Sequence, residues 1–243
     1  MPRSYGYPRR RIFSSEYFPT GVKWLIISNT AIFLLMMSRT VMQHILVFAL
    51  APDTVIHNFT VWQLVTYMFL HGGPWHLIFN MLVLWMFGVQ LERDWGTRRF
   101  LKYYFVCGIG AGLCDVLLHA ALGDWGSRTI GASGAIFGLL LAFGVLYPNQ
   151  TILMDFLFPI KAKYFVMIYA AVELYLCIAN DNNGVSSIAH LGGMVTGFIY
   201  LKSRLPAIRL PDVRGAYNRW KLMRAKRKFQ GYMRKHRNGP WVN

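Results

Sequence analysis

Six blocks of apolar residues, each about 15 to 20 residues long, leave this chain few folds to choose from. They run over about 22–38, 75–91, 103–122, 133–147, 164–178 and 187–201. Their apolar residues are nearly continuous rather than confined to one stripe, as in helices that face lipid instead of water. With 55% hydrophobic and only 15% charged residues, the chain is also unlike a soluble domain of its length. The expected fold class is therefore all-α: a polytopic membrane protein built as a six-helix transmembrane bundle. Residues 41–50 are apolar but too short to cross, so they are expected to form an interfacial or re-entrant piece of a long loop after the first span. That loop continues through Pro52 to His71. The expected division is an N-terminal tail (1–20), one six-span domain (21–203) and a basic C-terminal tail (204–243).

Lys and Arg set the orientation. Six spans put both tails and the second and fourth loops on one side, and 24 of the 26 basic residues fall there. Only Arg39 and Arg128 lie opposite. Basic residues accumulate in cytoplasmic loops, so both termini are expected in the cytoplasm. The same distribution accounts for the formal charge of +16 without nucleic acid. Arg9, Arg10 and Arg11 precede the first apolar block, yet Met36-Met37-Ser38 is no small-x-small cleavage site, so the block is expected to remain as an anchor. Cys107, Cys114 and Cys177 all fall in spans and are read as small packing residues, not as a disulfide or metal framework. No His-Glu-x-x-His pattern occurs, and no cofactor or metal is expected.

Polar residues inside a bilayer are costly and are functional suspects for that reason. In this topology the second, fourth and sixth spans all begin at the outer face. His76 and Asn80 stand near the start of the second, Ser133 at the start of the fourth, and His190 about one turn into the sixth. Four residues distant in sequence thus reach similar depth on one side. A serine needs a base to become a nucleophile, and His190 can serve. His76 and Asn80 are four apart on one helix face and can donate to a developing oxyanion, as can the amide near Ser133 at the helix start. The fourth span has only 15 residues, or about 22 Å, so Ser133 is expected below the outer surface, in a water-holding cavity. His71 precedes Gly72-Gly73-Pro74 and reads as a loop residue away from the reacting atoms. Each element has a plainer reading. Gly131-x-Ser133-Gly134 suits close helix packing, as do the Gly134/Gly138 and Gly193/Gly197 pairs. His190 could be an interhelical hydrogen bonder, and His76 with Asn80 could cap loop backbone.

With His71-x4-His76-x3-Asn80, Gly131-Ala132-Ser133-Gly134 and Ala189-His190-Leu191-Gly192-Gly193-x3-Gly197 in this order, the chain resembles the rhomboid family of intramembrane serine proteases, over about residues 20–203. The resemblance implies a Ser133/His190 dyad with no third acidic member and an oxyanion site of His76, Asn80 and the Ser133 amide, supported by Gly131, Phe137 and His71. It also implies cleavage of other membrane proteins near the outer end of a span, in a bacterial plasma membrane. Phe137 stands where well-known members often carry tyrosine. It keeps a ring to stack on His190 and lacks the hydroxyl. The first loop lacks the Trp-Arg pair of some members. Two other functions compete: a catalytically silent relative that binds or escorts membrane helices, and a proton-coupled transporter using Asp115 and His119. Relatives of the silent kind usually lack the serine or the histidine, and no inverted repeat supports a transporter. Asp115 and His119, four apart in the third span, are expected to be a structural pair or to lie near the outer loop. His44, His57 and His236 are expected to be exposed. The tail from Lys221 to Arg237 carries eight basic residues and no acidic one, which suits a solvated orientation signal or a segment held on anionic lipid.

Overall fold

The computed structural model describes residues 18–154, 158–179, 186–204 and 213–235. Six helices occupy the six apolar blocks: α1 (Thr20–Met36), α5 (Pro74–Trp95), α6 (Thr97–Ala121), α7 (Ser133–Leu146), α8 (Ala162–Ala179) and α9 (Ser187–Arg204). Of these, α5, α6 and α8 are long and apolar enough to cross a membrane, and α1 and α7 are shorter apolar helices. Pro74 opens α5 with its fixed φ and no N–H to leave unpaired. The free N–H groups at the start of α1 find their acceptor in another helix. Glu92 of α5 takes Gly21 N and Val22 N, both at 2.7 Å, and Thr97 Oγ1 at 2.6 Å. A side chain at position 21 would press on that carboxylate, which explains Gly21.

Lipid supplies no hydrophobic force between helices, so close packing and buried polar contacts must hold the bundle. The helix α7 sits in the middle, against α5, α6 and α8. Tyr103 donates to Gly138 O at 2.8 Å and Tyr67 to Gly108 O at 2.7 Å, each phenol bonding a carbonyl in the bundle interior. A Cβ on Gly193 would overlap the Gly134 carbonyl, and one on Gly138 would lie 2.5 Å from Cys107 Sγ. The glycine pairs thus bring α7 and α9 into backbone contact, with Cys107 as filler.

Three stretches outside the spans have secondary structure of their own. The long first loop is mostly helical, in short pieces: α2 (Arg39–Ile45), a 3-10 turn (Leu46–Phe48), α3 (Pro52–His57), α4 (Gln63–Thr66) and a second 3-10 turn (Tyr67–Phe69). Gln63 staples it, donating to Val47 O and accepting from Ala51 N and Thr54 Oγ1. The loop between α7 and α8 forms a short hairpin, β1 (Thr151–Met154) with β2 (Phe158–Lys161), within an otherwise helical fold. A two-stranded ribbon consists only of edges, which is why Pro159 is tolerated. The basic C-terminal tail contains α10 (Val213–Lys235), rich in the good helix formers Lys and Arg. Among the described residues, the bundle through Leu201 and the helix α10 fall in two different units. The N-terminal tail through residue 17, His236 and Arg237 lie outside the described residues.

Candidate active site

Two short loops decide where α7 and α9 begin. Leu50 and Thr129 exchange backbone hydrogen bonds of 3.0 and 2.9 Å, pinning the segment before α7 to the first loop. Gly131 N then donates to Tyr67 O at 2.9 Å. Gly131 has φ +124°, a conformation that L side chains rarely adopt, and a Cβ there would lie 2.8 Å from His76 Nε2. The glycine lets the chain pass close to the imidazole and turn into Ser133. On the other side, Ser186 Oγ accepts from Ala189 N at 3.1 Å and so caps α9.

A single buried carboxylate ties the two segments together. Asp115 of α6 is fully buried and accepts from Thr129 Oγ1 at 2.8 Å and from Ser186 Oγ. His119 also packs on it, with Nδ1 2.9 Å from Asp115 O and 3.5 Å from its Oδ1. Through these bonds Asp115 links the segments that lead into α7 and α9.

These constraints place His190 Nε2 2.8 Å from Ser133 Oγ. Phe137, one turn after the serine, stacks on the His190 ring with centroids 4.2 Å apart and planes inclined by 12°. The stacking expected of it is present without a hydroxyl. The serine opens onto a cavity of about 340 Å³ between α5, α7 and α8, with His76, Asn80, Phe137 and Tyr169 in its wall. His76 and Asn80 also make local contacts. Gly72 N approaches His76 Nδ1 at 3.4 Å, and Asn80 Nδ2 donates to His76 O at 2.7 Å, which leaves its second N–H unassigned. His71 is almost completely buried beside the site, its ring edge-on to His76 at 5.1 Å. Burial, and then the neighbouring His76, push its pKa down to about 4. It lines a loop and does not touch the serine, as its position before Gly72 suggests. His44 and His57 are exposed, the latter paired with Asp53 at 2.9 Å. Among the described residues no group of His, Cys, Asp and Glu converges as a metal site.

One neighbour of the site lies outside the motifs. Glu173 of α8 is buried, with Oε1 3.0 Å from His190 Nδ1, the nitrogen turned away from the serine. Neither Nδ1 nor Glu173 Oε2 is engaged in an aligned hydrogen bond among the described residues. The resemblance implies a dyad with no third acidic member, yet here a carboxylate lies against the histidine. The sequence holds one signal for it: a lone ionisable residue in an otherwise apolar run.

Apolar helices packed through glycine, with Ser133, His76 and Asn80 lining one cavity and His190 against the serine, define a polytopic membrane protein with a polar cluster within its bundle. Residues 58–206, more than half of the chain, match the Rhomboid domain, and the chain belongs to the rhomboid family. It is 35% identical over 152 residues to RHOMBOID-like protein 1 of Arabidopsis thaliana, covering 62% of this chain and 36% of that protein. It is 34% identical over 152 residues to Rhomboid protease GluP of Bacillus subtilis (62% and 27%). With Rhomboid protein 1, mitochondrial, of Saccharomyces cerevisiae it shares 36% over 135 residues (54% and 38%). The chain spans less than half the length of each of these relatives.

Proposed function

We propose that this chain is an intramembrane serine endopeptidase that cleaves transmembrane protein substrates near the outer end of their membrane helices. The observation that carries the reading is the 2.8 Å approach of His190 Nε2 to Ser133 Oγ at the edge of a cavity walled by His76 and Asn80. Ser133 Oγ attacks the scissile carbonyl carbon while its proton passes to His190 Nε2. The oxyanion of the tetrahedral intermediate is met by His76, Asn80 and the amide at the start of α7, where the helix dipole adds positive potential. The carbonyl re-forms, the amine leaves with the proton from His190, and water, activated by the same histidine, releases the acyl group. No cofactor enters. The Bacillus subtilis relative, named as a rhomboid protease, agrees with this chemistry.

The catalytic domain is residues 21–203, between an N-terminal tail (1–20) and a basic C-terminal tail (204–243). It crosses a bacterial plasma membrane six times, with both termini cytoplasmic. The support is the six helices at the six apolar blocks and the 24 of 26 basic residues that this topology gathers on one side. At about 1.5 Å per residue, the 14-residue α7 spans roughly 21 Å, so Ser133 lies within the membrane, below its outer surface.

Detergent-solubilised protein should react with a fluorophosphonate and cleave a model transmembrane substrate. Ser133→Ala should lose both activities while remaining folded, and His190→Ala should suppress both through loss of the base. Cleavage by well-purified Ser133→Ala protein near the parent rate would sink the assignment. A parent inert toward probe and every helical substrate would instead favour a silent family member that binds or escorts membrane helices.

A further inference from the structure

His190 has two ring nitrogens, and the steps above use only Nε2. The other, Nδ1, faces the Glu173 carboxylate at 3.0 Å. Glu173 is the one acidic residue of α8, a helix apolar and long enough to lie in lipid. A carboxylate there is expensive unless a partner compensates it. The groups facing His190 are Ser133 from α7, His76 from α5, Glu173 from α8 and the Phe137 ring. Ser187, in the first turn of α9, lies against the same carboxylate. Glu173 is the only acidic group in that set.

We propose that Glu173 is a positioning residue for the reaction: it holds His190 in the tautomer with its proton on Nδ1 and stabilises the imidazolium that forms when Nε2 takes the serine proton. The inference rests on the Ser133/His190 reading. The proton account closes without Glu173 becoming protonated. The serine proton moves to Nε2 and then to the leaving amine, Nδ1 keeps its own throughout, and the carboxylate remains an anion. A neutral histidine can carry its proton on either nitrogen, and only the Nδ1–H form leaves Nε2 free to act as base. A carboxylate beside Nδ1 selects that form.

Glu173→Gln keeps the volume and removes the charge. In detergent it should lower kcat and the rate of fluorophosphonate labelling together, by about 10²-fold, less than the roughly 10⁴-fold loss known for an aligned triad carboxylate. The contact here is short but not aligned as a hydrogen bond. KM for a model transmembrane substrate should stay within about twofold of the parent, because the change falls on the transition state and not on ground-state binding. Glu173→Leu, which suits lipid better, should show the same split if the amide variant folds poorly. A Gln variant with the parent kcat would overturn the proposal. So would a change confined to KM, or to the thermal midpoint with kcat intact. If the parent itself fails to label and Ser133→Ala behaves like it, the serine–histidine reading fails, and the role of Glu173 falls with it.

Discussion

Asp115→Asn should loosen the bundle at the point where both site helices begin. The native carboxylate accepts from Thr129 Oγ1 and Ser186 Oγ and is fully buried. Asparagine keeps the shape, but one oxygen becomes an NH2 that must face a hydroxyl. The hydroxyl can turn and accept, so the loss is mainly the charge assistance, about 1–1.5 kcal/mol for each of two bonds. Relief from burying a charge returns part of this, leaving about 2 kcal/mol, or roughly 30-fold in the folded-to-unfolded ratio. Asp115→Ala removes both acceptors and should cost about 3–5 kcal/mol. Reversible unfolding in bicelles, followed by steric trapping, reads both values. Thr129→Val supplies the control: it should cost clearly less in the Asp115→Asn background than in the parent. Asn-variant stability within about 0.5 kcal/mol of the parent, or strictly additive costs, would refute the bracing role.

Asn80→Ala and His76→Ala should each slow turnover of a transmembrane substrate by about 10²-fold if the donors meet the oxyanion, with folding retained. Parent rates in both, and in the double variant, would remove them from the reaction. His71 gives a pH dependence of definite sign. Its pKa falls from about 6.5 unfolded to about 4 folded, so its contribution is complete above pH 6.5 and is lost as pH drops toward 4, up to about 3 kcal/mol. Stability of His71→Leu should fall less steeply over that window, and parallel curves would exclude the effect. The basic tail should bind anionic vesicles with a steep salt dependence, at roughly 1 kcal/mol per basic residue near the surface. Equal binding of a peptide spanning residues 213–237 to neutral vesicles would rule this out.

The helices were legible because lipid imposes a simple rule. A span must be apolar for most of its length, so blocks such as 75–91 and 133–147 stand out without any tertiary knowledge. The candidate site was legible because Ser133, His76 and His190 all sit at helix starts on one face of the topology. What escaped depends on contacts across the chain. Glu173 lies 17 positions before His190, with a loop between them, and no spacing rule links two residues on separate helices. Asp115 could be read as a relay or a pair because its partners, Thr129 and Ser186, lie 14 and 71 residues away. The hairpin at Thr151–Lys161 was hidden by its brevity, since four-residue strands carry too little alternation to see. The helix Val213–Lys235 has polar residues all round, so apolar periodicity could not announce it.

The backbone contact between Gly134 and Gly193 has a mechanical consequence. Bilayers differ in thickness, and helices tilt to match them. Two helices held apart by long side chains could slide as they tilt, stretching any bond between them. Here no side chain intervenes, so α7 and α9 should tilt as one piece and carry the serine and histidine with them. Compliance is left to α8, which is far less buried in the bundle than α5 and α6. A thicker or thinner membrane should therefore reshape the cavity wall before it changes the distance between the reacting groups.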